Sequence, residues 1–532
     1  MRKEFVLSKR AKLLGVALLC ALYLSSTADQ LGEWNGDAAL YILLGKSIAE
    51  DRGYEGPVLP GSYRHTKYPF LFPAILASVI RIFGVNFRAI RAEVALIAVA
   101  VIIAWYFYFR EKKGEAAALG LSAAFALQPY SFSFVTRTLS ETPYLLLTGI
   151  SFWSFSRWKN RGKDIYFAIS LACSVLGFFC RTAGIALLAA FIAAIVLDSE
   201  LRSRKALRIN AAIVAMFISL AAGAFWTGYV LLQPTPAVNY FQEMFQSMEY
   251  GTVLNPADIL NRVGPNLWYY FSTLGINVVL GLEYESVSAI VLSSFLWGLV
   301  VLGMIERGRG LLEVFYPIIS IIIIILWPNY MDFRFLYPLM PLLIMFGYQA
   351  IKLLSRSLKT QGSVFAYTAF AIFFAVSLAY TFLIAKAQHT ANPYPSAGRM
   401  MFGYKIEKPV VDWAKTFYAF QPPKNIFAVG EFIVLNRIAA EILPRETVIA
   451  SLKPSDTTLI TGFRSVRLPV ETDPEQALSY LESWTVEYLI VDRCSRETAR
   501  SIVPLIRANP GHFEKIVGLP DKIAPAIYKF WP

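Results

Sequence analysis

The chain has 532 residues, of which 56% are hydrophobic and only 16% charged, a balance that excludes an ordinary soluble protein of this size. Its formal net charge of +13 comes from basic residues in short clusters between apolar runs, so the charge marks membrane orientation and not a nucleic-acid partner. Four cysteines, three of them within apolar runs, give no disulfide framework, and three histidines form no cluster with metal-ligand spacing.

The chain opens on a basic cluster at 2–12 and an apolar run that closes on Ser25-Ser26-Thr27-Ala28. That pattern fits a cleaved secretory signal as well as a first span. The membrane-embedded character of everything downstream favours an uncleaved span. Next comes Trp34-Asn35-Gly36-Asp37, and Asp37 opens a segment with Leu40, Leu43, Leu44, Ile48 and Ala49 at helical spacing. The plainer reading of Asp37 is a helix cap or first-turn acid. The functional reading is a general base placed just outside the bilayer.

The stretch 69–84 decides the topology. Counted as a full span, it would put Arg110-Glu111-Lys112-Lys113 outside; read as an interfacial helix, it keeps every basic cluster inside. The second reading predicts eleven spans near 12–28, 88–109, 116–135, 142–157, 164–180, 182–198, 209–232, 286–305, 312–328, 335–353 and 363–385. The N-terminus is then cytoplasmic. Two long outer loops, 29–87 and 233–285, carry aromatic, glycine and proline residues.

Glu141 lies at the outer turn between the third and fourth spans, where Ser140, Glu141 and Pro143 also suit the start of a helix. The topology brings Asp37 and Glu141 to one membrane face, and a pair of acids there says more than either alone. Cations accompany them. Arg64 and Lys67 precede Tyr68-Pro69, Arg181 interrupts the turn between the fifth and sixth spans, and Arg334 follows Asp332, a local acid that could pair with it. Arg181 has no acid close in sequence, and an ionisable group in apolar surroundings is usually paired or functional. A lipid-linked phosphate would supply the missing negative charge.

Beyond 385 the pattern changes. Helical periodicity at 410–420, 474–484 and 496–508 alternates with strand-like runs at 447–451, 465–470, 486–492 and 513–517. The expected organisation is an all-α polytopic membrane domain over 1–385 and a small α/β extracytoplasmic domain over 386–532.

The order of these features resembles the GT-C glycosyltransferases, in particular protein O-mannosyltransferases and bacterial lipid A aminoarabinose transferases. The resemblance spans roughly residues 10 to 350. It rests on Gly36-Asp37 with Tyr41 and Gly53-Tyr54, on His65-Thr66-Lys67-Tyr68-Pro69, and on Arg334-Phe335-Leu336-Tyr337-Pro338. It implies a polyprenyl-phosphate-linked sugar donor, Asp37 as the catalytic base and Glu141 as the second outer acid. It further implies Lys67 and Arg334 at the donor phosphate, where Arg181 is expected from its own charge, with Tyr41, His65 and Tyr68 near substrate. The doubled proline common after the family lysine is here Tyr68-Pro69-Phe70.

No cofactor is implied, and the sequence leaves metal dependence open. The implied partners are the lipid-linked donor, a lipid, glycan or protein acceptor, and the bilayer itself, with no nucleic acid. The implied location is the cell (inner) membrane, with the C-terminal domain outside. A flippase for a lipid-linked saccharide would also need interfacial cations, but discontinuous helices and inverted repeats, which would favour it, are not evident. A scaffold for polysaccharide assembly is the third reading.

Overall fold

The computed structural model describes residues 8–25, 36–61, 63–198, 205–234, 239–245, 256–280, 286–305, 310–328 and 333–357. It also describes the pairs 375–376, 378–379, 400–401 and 404–405, and then 426–469, 473–493, 498–518 and 522–532. The span expected at 363–385 lies outside the described residues apart from two of those pairs, and so does the helix expected at 410–420.

The first part of the chain is helical. It runs through α1 (Lys9–Ser25), α2 (Gly36–Ala49), a short hairpin of β1 (Glu55–Gly56) and β2 (Tyr63–Arg64), and α3 (Leu71–Phe83). Then follow α4 (Phe87–Lys113), α5 (Glu115–Ala126), α6 (Pro129–Ser133), α7 (Glu141–Arg161), α8 (Asp164–Cys180), α9 (Ile185–Leu197) and α10 (Lys205–Leu232). The remaining helices are α11 (Tyr240–Phe245), α12 (Pro256–Leu260), α13 (Val263–Leu280), α14 (Val287–Ile305), α15 (Leu311–Ile325) and α16 (Met340–Ser357).

Four described segments have both the length and the hydropathy to cross a bilayer: Phe87–Lys113, Leu207–Leu232, Val287–Ile305 and Phe333–Ser357. Five further apolar helices are shorter, so eleven full spans are not confirmed by helix length. One cause is visible at 116–135, expected as one span. Gln128 is extended and accepts from Ser131 N–H while Pro129 opens a new helix, so α5 stops and the chain restarts as α6. The stretch 69–84 is the 13-residue α3, short for a span and in keeping with the interfacial reading.

The second outer loop differs more. Within 233–285 lies the 18-residue α13, packed along α14. Its Asn266 amide donates to the carbonyls of Ile325 at 2.9 Å and Trp327 at 2.7 Å, satisfying the end of α15. The aromatic run Trp268-Tyr269-Tyr270-Phe271 masked this helix in sequence. Close approach also has local causes. A Cβ on Gly303 of α14 would collide with the Phe346 carbonyl of α16, so only glycine allows those backbones to touch.

The C-terminal part holds the short β3 (Met400–Met401) and β4 (Tyr404–Lys405), then α17 (Ile426–Ile442), β5 (Val448–Ser451), α18 (Pro454–Thr461), β6 (Arg464–Arg467), α19 (Pro474–Ser483), β7 (Tyr488–Val491), α20 (Val503–Ala508), β8 (Phe513–Gly518) and β9 (Ala526–Phe530). Five strands make one sheet in the order β6-β5-β7-β9-β8, parallel across β6, β5 and β7 and antiparallel beyond. Alternation sets the two faces: Ile449 and Ile490 turn to one core with Leu435 and Ile438, while Ala450, Leu489 and Val491 turn to the other with Ile502 and Leu505. The four expected strands are present; α17, α18 and β9 were not anticipated.

This sheet unit sits on the first outer loop. α18 packs against α2, the Ser465 N–H donates to the Val58 carbonyl at 2.7 Å, and Leu459 reaches the membrane-domain core. For that reason α2 is not an amphipathic surface helix. Ala38, Ala39, Ile42, Leu43 and Leu44 are all buried, between α3 on one side and α18 on another.

Candidate active site

Asp37 stands in the first turn of α2, with 33% of its side chain still exposed. Its Oδ1 accepts from the Tyr68 hydroxyl at 2.6 Å, and its Oδ2 lies 2.7 Å from Arg334 Nη1. Arg334 comes from the turn at Phe333–Phe335, almost 300 residues away in the chain, so only tertiary folding joins the two.

Glu141 begins α7 and is 1% exposed. It lies 2.6 Å from Arg181 Nη1 and 4.0 Å from Arg334 Nε. Arg334 therefore bridges the two acids. Arg181 leads from α8 into the turn before α9, and both guanidinium groups lie over the Phe335 ring. Ser140 makes no side-chain cap to its own helix; its hydroxyl instead accepts from Tyr41 at 3.0 Å and from Arg181 at 3.4 Å.

Lys67 lies 2.6 Å from Glu243 on α11 and near the faces of Tyr68 and Tyr240. Tyr41 stacks on Tyr68 at 4.6 Å and meets Phe72 edge-on. His65 is buried, and its Nε2 accepts from the Tyr68 N–H at 2.9 Å, which shapes the loop that presents Lys67 and Tyr68. All eight residues singled out from sequence thus belong to one connected cluster. Glu243, Phe335 and Ser140 complete it; nothing local in the sequence marks Glu243, 176 residues from its lysine.

The electrostatics follow from this wiring. Burial alone would raise the Asp37 pKa, but the Arg334 charge, the Tyr68 hydrogen bond and Lys67 outweigh it and hold the carboxyl far below its ordinary range. Burial, with Lys67 beside it, pushes His65 down to about 3, so its ring is a neutral acceptor. Burial and then the Asp37 carboxylate push the Tyr68 hydroxyl well above its usual value, keeping it a donor. Among the described residues the site holds three carboxylates, Asp37, Glu141 and Glu243, against three cations, Lys67, Arg181 and Arg334.

Comparison with known proteins agrees with this architecture. Residues 67–226 match the family described as dolichyl-phosphate-mannose-protein mannosyltransferase, a stretch that contains Lys67, Tyr68, Glu141 and Arg181. Among solved structures, ArnT from Cupriavidus metallidurans in its apo state is similar over 98% of this chain and 97% of that one, at 11% identity and a TM-score of 0.56. The same protein bound to undecaprenyl phosphate gives 12% identity, 98% of both chains and a TM-score of 0.57. The Archaeoglobus fulgidus oligosaccharyltransferase tethered with an acceptor peptide is similar over 90% of this chain and 69% of that one, at 15% identity and a TM-score of 0.51. The sequence matches none of the curated proteins.

The chain thus shares the fold of ArnT and of the archaeal oligosaccharyltransferase over most of its length, and within that fold residues 67–226 resemble the mannosyltransferase family.

Proposed function

We propose that this chain transfers a sugar from a polyprenyl-phosphate donor to an acceptor hydroxyl at the outer face of the cell (inner) membrane, with Asp37 as general base. The observation that carries the proposal is the bridge of Arg334 between Asp37 and Glu141, which sets a cation between an accessible acid and a buried one. The similarity to ArnT bound to undecaprenyl phosphate supports a donor of that kind. In this reading residues 1–385 form the transferase domain with a cytoplasmic N-terminus, and residues 386–532 form a domain outside.

The reaction is a single displacement. The acceptor oxygen attacks the anomeric carbon as its proton passes to Asp37, and the bond to the phosphate oxygen breaks, with its electron pair leaving on the polyprenyl phosphate. Attack from the face opposite the leaving group inverts the anomeric centre. Arg181, Arg334 and Lys67 act as fixed charges where the phosphate charge grows. Glu141 holds Arg181 in place, Tyr41 and Tyr68 wall the sugar side, and His65 sets the Lys67 loop.

A carboxylate held far below its ordinary pKa is a weak base. Donor binding resolves this. A phosphate that engages Arg334 weakens the Arg334–Asp37 pair and adds a negative charge nearby, so the Asp37 pKa climbs toward the working range as the donor arrives. The test is Asp37→Asn, scored by mass spectrometry of envelope glycans and by release of undecaprenyl phosphate from undecaprenyl-phosphate-linked sugars. Transfer should fall by about 10²–10⁴ at unchanged membrane level. Near wild-type transfer would remove Asp37 from the base role.

A further inference from the structure

We propose that the C-terminal sheet unit positions the catalytic base, and that Asp456 is the residue through which it does so. This rests on the reading of Asp37 as the base. α18 lies against α2, the helix whose first turn carries Asp37. Asp456, in the first turn of α18, is fully buried. Its carboxylate meets the first residue of α2: a Cβ built on Gly36 would stand 3.8 Å from Asp456 Oδ2.

The start of a helix is the positive end of its dipole, so a buried carboxylate packed against the first residue of α2 favours the helix beginning there and in that orientation. Asp37 is the next residue after Gly36. Whatever fixes the first turn of α2 fixes the Asp37 Cα, and with it the angle at which the carboxylate meets the acceptor.

Other contacts keep Asp456 in register. Thr457 donates to the Ser451 hydroxyl at the end of β5, which ties the start of α18 to the sheet. Leu459 packs into the membrane-domain core, and the Ser465 N–H and the Arg464 guanidinium hold the carbonyls of Val58 and Gly56. The sheet unit thus grips both the start of α2 and the β1–β2 hairpin. Asp456 is a positioning residue: it is placed to act through the helix and not on the substrate.

The experiment compares full-length Asp456→Ala and Asp456→Asn with wild type and with Asp37→Asn, at matched membrane levels. Envelope glycan mass spectrometry reads transfer, and binding of undecaprenyl phosphate to the purified variants reads the phosphate end. Alanine should lower transfer about tenfold or more, as a shift of about 1 Å in a reacting group can cost still more, while affinity for undecaprenyl phosphate stays within about twofold. Asparagine keeps the packing against α2 but not the charge and should restore only part of the transfer. Wild-type transfer by Asp456→Ala overturns the proposal and leaves the function reading intact. Loss of transfer and of undecaprenyl phosphate binding in both Asp456 variants also overturns it, because the residue then only maintains the fold. Full transfer by Asp37→Asn would instead strike at the base assignment.

Discussion

The two ends of the site are wired differently. At one end Asp37, Arg334, Glu141 and Arg181 form a chain in which Arg334 contacts both acids and Glu141 contacts both arginines. At the other end Lys67 and Glu243 form a single pair, 25% and 12% exposed, between two loops. In the first, no charge can be displaced without disturbing another, and Glu141 is too buried to accept water in place of Arg181. In the second, one partner can swing away at little cost. The contrast separates a fixed scaffold from a replaceable counterion: an arriving phosphate can take Lys67 from Glu243 far more readily than Arg181 from Glu141.

Breaking the fixed end should have the largest effect. Glu141→Gln leaves Arg181 without its buried counterion, and unfolding of the purified chain should show a loss of about 3 kcal/mol. A melting profile equal to wild type would mean that Arg181 finds its charge balance elsewhere.

The pH profile sharpens the same contrast at the residue between the two ends. The Asp37 pKa in the free chain lies below its unfolded value of about 3.9, so the stability it contributes is present above that pH and is lost as pH falls through the folded value. With Asp37 as the proposed base, activity requires the ionised form, and the acid limb of kcat/KM is expected below the ordinary carboxylate range. If donor phosphate draws Arg334 away, the acid limb of kcat moves to higher pH than that of kcat/KM. Coincident limbs would show that Arg334 never changes partner.

The smallest effect belongs to the replaceable end. Glu243→Gln removes the competitor for Lys67, and undecaprenyl phosphate should bind tighter by a factor of about two to five, the scale of a partly exposed pair. Weaker binding would mean that Glu243 holds Lys67 in place for the donor instead of competing with it.

Much of this was legible in the chain itself. Apolar run lengths and the placement of basic clusters are local properties, and they identify the membrane class because the bilayer imposes length and charge rules on each segment separately. The alternating runs after residue 440 identify four of the five strands for the same reason. Asp37, Lys67, Glu141, Arg181 and Arg334 were each marked by a cost, a charge where burial or an interface makes charge expensive. What the sequence left undecided were partners. Local reading offered Asp332, which lies outside the described residues, to Arg334, and could not foresee Asp37 and Glu141 as its partners; it offered Ser140 as a cap, but that hydroxyl serves Tyr41 and Arg181. Glu243 and the helix α13 went unseen, the one because its partner lies 176 residues away and the other because its aromatic and polar residues dilute the apolar signal.

Composition and periodicity by themselves thus determined that this is a polytopic membrane protein with a sheet-forming C-terminal part and with acids and cations at one membrane face. Only the tertiary structure decided which acid meets which cation, and that α2 is clamped by the C-terminal unit instead of lying open. The physical reason is range. Hydrophobic periodicity and charge cost act within a segment, whereas an ion pair or a packed helix start depends on two segments whose approach no local pattern encodes.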